Sequence, residues 1–124
     1  MKIAFFHNYY KLPGGEDTVF ELEIDALRAQ GHTVVPYTVH NTQAFATNSL
    51  RQKLRGALDA PHSRSSQTAI RAFLDRERPD ISHIHNWFPV ISPSIYTAHH
   101  QAGIPTVQTL HNYRLGCAAA TYYR

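Results

Sequence analysis

The chain has 124 residues, 43% hydrophobic and 17% charged, which fits one globular domain and excludes both a two-domain enzyme within these residues and a disordered chain. Its net charge of +3 at pH 7, with histidine counted as neutral, is too small to indicate a nucleic acid or another polyanion as a partner. Cys117 is the one cysteine, so no disulfide forms within the chain and nothing indicates an oxidising compartment.

The amino-terminal part predicts a strand, a loop and a helix. Lys2 to His7 is an apolar run of the kind that is buried on both faces of a parallel sheet. The loop that follows ends in Gly14 and Gly15, and Gly31 is a typical stop after the helix. Two adjacent apolar rows indicate the helix: Val19, Leu22 and Ala26 in one, and Phe20, Ile24 and Leu27 in the other.

The next part predicts a second strand from Thr33 to Val39, where Pro36 indicates an edge position or a bulge. Residues 41–64 are hard to interpret, but a set of apolar residues indicates a helical face there. These are Leu50, Leu54, Ala57 and Leu58. A further helix is predicted to start at a Ser65 or Ser66 cap and to bury Ala69, Ile70, Phe73 and Leu74 before Pro79 ends it.

The remaining elements are a third strand from Ile81 to His85, a helix and a fourth strand from Ile104 to Leu110. Ser92-Pro93 opens that helix, with serine as the cap and proline in the first turn, and Gly103 ends it. The alternation predicts an α/β fold, a Rossmann-like parallel sheet with helices on both faces. About four strands make a small sheet for this fold, so we expect it to be incomplete.

Ligands of open α/β sheets bind beyond the carboxyl ends of the strands. Three loops with unusual residues fall there: 7–15, 85–89 and 111–114. Glycine backbone at Gly14 and Gly15 can approach a phosphate or a sugar closely. Taken alone, however, the pair more often marks a tight turn that needs positive φ. The loop matches neither the dinucleotide fingerprint nor the Walker pattern.

The histidines allow several interpretations. His83 and His85 share a strand face, but two ligands with no Cys, Asp or Glu nearby in sequence do not make a metal site, and backbone hydrogen bonds are the favoured explanation. His99 and His100 are expected at the surface. His111 follows an apolar strand and can donate to a substrate hydroxyl or act as a general base, although a structural rim histidine is as common.

Several motifs together resemble the amino-terminal domain of retaining GT-B glycosyltransferases of family 4, also called group 1. These are His7–Tyr10 with Pro13–Asp17, Gly31–Val34, Arg78–Asn86, Ser92–Ser94, and Ala102–Leu115. The resemblance implies that the domain takes a glycan or lipid-linked acceptor, while a second domain binds a nucleotide-diphosphate sugar. It implies no metal and no other cofactor, and points to cell-surface polysaccharide synthesis.

The resemblance also implies roles for single residues. His111 is expected to contact the transferred sugar as the catalytic residue. Gly14 and Gly15 are expected to line the cleft near the diphosphate or the sugar, with the acid Glu16 beside them. Asn86 and Asn112 are expected to border the acceptor pocket.

Residues 1–124 lack the donor-binding domain of such an enzyme, together with its basic clamp for the diphosphate. We therefore expect a partial amino-terminal domain that is inactive alone and that self-associates through exposed apolar surface. The alternative is a non-catalytic binding module that acts with a partner chain. No signal peptide or membrane span is readable in the sequence, so the expected location is the cytoplasm, with the full-length enzyme peripheral at the inner membrane face.

Overall fold

The computed structural model describes residues 1–41, 63–88, 90–113 and 116–117. Its elements, in chain order, are β1 (Lys2–Tyr9), α1 (Gly15–Ala29), β2 (Thr33–His40), α2 (Arg64–Glu77), β3 (Ile81–Ile84), α3 (Ser94–Ala102) and β4 (Thr106–Gln108). The helix indicated within residues 41–64 lies almost wholly outside the described residues.

The four strands form one parallel sheet in the order β2-β1-β3-β4. Phe5 of β1 stands between Pro36 of β2 and His83 of β3. The predicted parallel α/β fold is confirmed, and so is the edge position of the strand that contains Pro36. The chain runs outward from β1 to β2 and then crosses back to β3. The switch point of the sheet therefore lies between β1 and β3, where ligands of such folds bind.

Helices cover both faces of the sheet. Phe20 and Ile24 of α1 pack with Ile3 and Phe5 of β1 on one face. On the other face, α2 and α3 pack together against the remaining side chains of β1 and β3. That cluster is formed by Ala4, Phe6, Ile70, Phe73, Leu74, Ile84, Ile91, Ile95 and Ala98. Alternate side chains of β1 thus enter different cores, which explains why nearly the whole strand is buried.

Only one of the two predicted apolar rows of α1 faces the sheet. Phe20 and Ile24 are buried and Leu27 is partly buried, whereas Val19, Leu22 and Ala26 are exposed. The helix that the two rows indicated is confirmed, and the exposed row lies on the side of α1 that faces away from the sheet.

Element ends differ from the predictions in a few places. Ser63, rather than Ser65 or Ser66, caps α2, since its hydroxyl accepts the N–H of Ser66 at 3.2 Å. Ala69 is exposed, unlike the other residues of the predicted stripe. The fourth strand is shorter than predicted, at three residues, and the third ends before His85.

The glycine stops are confirmed, whereas the predicted cap of α3 is wrong by one residue, because Pro93 rather than Ser92 is the N-cap of that helix. Gly31 and Gly103 follow α1 and α3 with φ of 82° and 67°, the left-handed conformation that glycine adopts at low cost. The hydroxyl of Ser92 accepts the N–H of Ser94 at 3.3 Å. Among the described residues, no helix is long and apolar enough to cross a membrane.

The two rows of α1 give a paired test of this packing. Replacing the buried Ile24 by alanine should lower the free energy of unfolding by about 2–4 kcal/mol, because it leaves a cavity against β1. The same truncation of Leu22, which is 63% exposed, should change it by less than about 0.5 kcal/mol. Urea denaturation of both variants measures the difference, and equal losses would contradict this orientation of α1.

Candidate functional site

Imidazoles converge at the carboxyl ends of β1 and β3. Side chains alternate along a strand, so His7 lies on the same face as Phe5, and His83 and His85 lie on the corresponding face of the neighbouring strand. His111 joins them from the loop after β4. The rings of His7 and His85 are 6.3 Å apart, and those of His85 and His111 are 5.2 Å apart and stacked. We call these four residues the histidine cluster.

The first part of the site links the glycine loop to β1 through Asp17. One carboxylate oxygen of Asp17 accepts the backbone N–H of Gly14 at 2.9 Å, and the other lies 2.7 Å from Nε2 of His7. Asp17 therefore caps α1 and holds the fully buried His7 at the same time. The cap takes up the Gly14 N–H, which is one of the donors that the sequence had suggested for a ligand.

The second part of the site joins β3, α1 and the loop after β4. Nδ1 of His85 lies 3.0 Å from Nε2 of His111. Nδ1 of His83 and Nε2 of His85 each lie 3.3 Å from one carboxylate oxygen of Glu23. Nε2 of His83 is 2.7 Å from the hydroxyl of Thr109. Glu23 belongs to α1, so this helix supplies a carboxylate to each half of the site.

The rings of Phe5 and Phe20 pack against the histidine cluster. Phe5 stacks on His85 with ring centres 5.4 Å apart, and Phe20 stacks on His7 at 4.6 Å. Such apolar walls remove water from the imidazoles and disfavour their charged form.

Burial lowers the pKa of every member of the cluster. For His85 burial, together with the neighbouring imidazoles of His83, His111 and His7, lowers the pKa to about 3. Burial also lowers the pKa of His7, against the opposing hydrogen bond from Asp17, and that of His83 and His111, against the charge of Glu23. The four rings are neutral at pH 7, so the His7–Asp17 contact is a hydrogen bond from Nε2–H rather than an ion pair.

A small pocket opens beside the cluster, between the loops after β3 and β4. Asn86, His111 and Asn112 all line it, together with Trp87 and Phe88. The amide of Asn86 is already engaged, because its Nδ2 donates to the Asn8 carbonyl at 3.1 Å and its Oδ1 accepts the Phe88 N–H at 3.1 Å. Asn86 therefore holds the wall of the pocket in shape.

The glycine pair adopts ordinary backbone conformations. Gly14 has φ of −132°, and neither it nor Gly15 has positive φ, so the tight-turn explanation of the pair is wrong. A Cβ built on either glycine meets no atom within 4 Å, so internal packing does not require glycine there either.

The structure brings the predicted site residues to one edge of the sheet. Contacts run from Gly14 through Asp17 and His7 to His85 and on to His111. Glu16 is half-buried in the first turn of α1, next to Gly15.

Other histidine predictions need correction. His83 and His85 contact side chains, not the backbone groups that the sequence had suggested. His99 is 1% exposed rather than at the surface. Its Nδ1–H donates to the Ile95 carbonyl at 2.7 Å, and its ring packs edge-on against Phe6. His100 is exposed, as expected.

The sequence reasoning missed Glu23 and the double function of Asp17. Glu23 is 60 residues from His83 in the sequence, and no local spacing connects them. No signal in the sequence identified Glu23, because the face of α1 that packs against the sheet is known only from the folded chain.

The family comparison covers this whole site except its first strand. The model of Glycosyltransferase Family 4 matches residues 13–123, which is most of the chain. The chain belongs to glycosyltransferase family 4. Comparisons with curated proteins and with solved structures gave no match. Membership of this family supports a glycosyltransferase-like role, with a sugar donor and an acceptor as substrates.

The neutral cluster predicts a loss of stability in mild acid. The folded-state pKa of His85, about 3, lies below its ordinary value of 6.5. Between these values the unfolded chain binds more protons than the folded chain, so the free energy of unfolding falls as the pH falls from 6.5. His85→Gln should reduce this slope by about 1.4 kcal/mol per pH unit, because the unfolded variant no longer binds that one extra proton. Urea denaturation between pH 7 and 4 measures it, with the exposed His100→Gln as the control that keeps the slope.

Proposed function

We propose that this chain is the acceptor-side domain of a retaining glycosyltransferase, which moves a sugar from a nucleotide-diphosphate donor to a hydroxyl of a glycan or lipid-linked acceptor. The new glycosidic bond forms to the acceptor oxygen, the bond from the anomeric carbon to the diphosphate breaks, and the acceptor proton leaves with the nucleoside diphosphate. The observation that carries the proposal is that the glycine pair and His111 lie at the same edge of the sheet, joined through Asp17, His7 and His85, in a chain of this family.

His111 is proposed to act through a neutral ring. Its Nε2 is engaged with His85 at 3.0 Å, so Nδ1 is the atom left for a substrate. When His85 donates its Nδ1–H to His111, the second nitrogen of His111 carries a proton and donates to a sugar hydroxyl. His111 is half-buried and borders the pocket, which gives such a hydroxyl access to it.

The glycine pair is proposed to let the donor approach the first turn of α1. The space above both glycines is open, and the helix start supplies a positive partial charge. The Asp17 carboxylate already accepts the Gly14 N–H, so this turn has one donor fewer and a negative charge nearby. It therefore favours a sugar hydroxyl, or a phosphate whose charge other groups neutralise, over a bare diphosphate. The charge that develops on the departing diphosphate therefore requires basic groups from a second domain.

Exposed apolar side chains beside the site support a covering domain or chain. Val107 on β4 is 49% exposed, and Leu110, which precedes His111, is 63% exposed. An apolar surface next to a binding pocket is typical of an interface. We propose that the donor-binding domain closes over this edge, and that the chain alone does not transfer sugar.

Replacing His111 by alanine tests the catalytic assignment. In an enzyme that joins this domain to its donor-binding domain, turnover should fall by about 100-fold or more, because a hydrogen-bond donor to the reacting sugar is lost. Nucleoside diphosphate release with the acceptor present measures it, and thermal denaturation should show a change below about 1 kcal/mol. His100→Ala, at the far end of α3, is the matched control, and turnover equal to this control would remove His111 from the mechanism.

Replacing Gly15 by valine tests the glycine pair separately. The chain has room for the side chain, so the free energy of unfolding should change by less than about 1 kcal/mol. The branched side chain projects toward the approaching donor, so turnover should fall at least about tenfold, with a raised KM for the donor. Gly31→Val is the control, because its φ of 82° predicts lost stability with unchanged donor KM. Normal kinetics of the Gly15 variant would show that the loop is only structural.

A further inference from the structure

Glu23, His83 and His85 bring three metal-binding atoms together on one side of the histidine cluster. One carboxylate oxygen of Glu23, Nδ1 of His83 and Nε2 of His85 all lie within 4.8 Å of one another. We propose that these three side chains form a binding site for a divalent transition-metal ion, with Zn²⁺ as the favoured ion. This site goes beyond the sugar transfer proposed above and does not depend on it.

The distances fit a tetrahedral ion. Two ligand atoms bound at about 2.05 Å in a tetrahedron lie about 3.35 Å apart, because the bond angle is near 109°. The Glu23 oxygen lies 3.3 Å from each imidazole nitrogen. Two of the three edges of the ligand triangle therefore already have the length that zinc requires.

In both histidines, one ring nitrogen forms a hydrogen bond within the protein and the other faces Glu23, where the ion would bind. Nε2 of His83 pairs with the Thr109 hydroxyl at 2.7 Å, and Nδ1 of His85 pairs with His111 at 3.0 Å. When these nitrogens carry the protons, Nδ1 of His83 and Nε2 of His85 are bare and point to Glu23. Metal-binding histidines are commonly oriented by such partners on the opposite nitrogen.

An independent observation also points to a ligand. Nε2 of His85 is fully buried and makes no hydrogen bond, although the Glu23 oxygen is within ion-pair distance. A buried nitrogen without a partner is costly, and a metal ion at this position satisfies it.

The site is open on one side. The side chains of Glu23 and His83 are 38% and 18% exposed, while that of His85 is 0% exposed. Three protein ligands and solvent access leave a fourth position for water. Two nitrogens and one oxygen suit Zn²⁺ better than Mg²⁺ or Ca²⁺, which prefer oxygen ligands in larger number.

An ion at this site also sets the state of His111. A metal on Nε2 of His85 leaves the proton of that ring on Nδ1, where it donates to Nε2 of His111. The proton of the neutral His111 ring then lies on its Nδ1, which makes His111 a donor toward the pocket. Thr109 and His111 thus become positioning partners of the bound ion.

Zinc binding to the 124-residue chain tests the proposal directly. Equilibrium dialysis at pH 7 followed by elemental analysis should find one equivalent of tightly bound Zn²⁺, undisturbed by excess Mg²⁺. Glu23→Gln and His83→Gln should each weaken the affinity by about 100-fold. Thr109→Val should weaken it by about 10-fold, the lower end of the effect of partners behind the ligands. Circular dichroism of each variant confirms that it is folded.

Two controls separate this site from adventitious binding by the other histidines. Glu21→Gln changes a neighbouring acid of α1 that pairs with Tyr9 instead, and His100→Gln removes an exposed imidazole of α3. Both should bind Zn²⁺ as the unmodified chain does. Long-range ¹H–¹⁵N spectra of the unmodified chain should show zinc-dependent shifts at Nε2 of His85 and Nδ1 of His83. Binding that Glu23→Gln leaves unchanged, or spectra in which these nitrogens do not move, would overturn the proposal, whatever the outcome of the transfer experiments.

Discussion

Side-chain alternation along two neighbouring parallel strands is the constraint on which this site depends. The register pairs Phe5 with His83. Two residues further along each strand, His7 and His85 therefore lie on the same face, at the carboxyl edge of the sheet. Shifting either strand by one residue would send its histidines into the opposite core. The apolar residues that fix the register therefore also fix the imidazoles, and packing and chemistry are encoded in the same positions.

Helix α1 completes the site from the other direction. Its buried Phe20 and Ile24 attach it to β1, and this attachment sets the position of Asp17 and Glu23 along the same helix. Asp17 reaches His7, and Glu23 reaches His83 and His85. Each carboxylate is separated from its imidazole partners by an element boundary, so the site exists only in the folded domain.

Much of the fold could be predicted from the sequence, because long apolar runs and glycine stops are local signals. The parallel sheet, the edge strand with Pro36 and the carboxyl-terminal ends of α1 and α3 were predictable in this way. The exposure of Leu22 and the burial of His99 were not, because they depend on which part of the sheet each helix covers. Within the site, the alternation of strands and helices predicted that the three loops lie at one edge of the sheet. The contacts of Glu23 with His83 and His85 could not be predicted, because no spacing in the sequence indicates that these residues meet.

Proline in the edge strand β2 determines at which edge of the sheet a further strand can pair. β2 forms one border of the sheet, and Pro36 removes an amide donor from its backbone, so a strand arriving from solvent cannot complete a regular ladder there. The border at β4 carries no proline within Thr106–Gln108 and keeps its amides. Extension by another strand, from this polypeptide or from a neighbour, is thus directed to the side that carries His111.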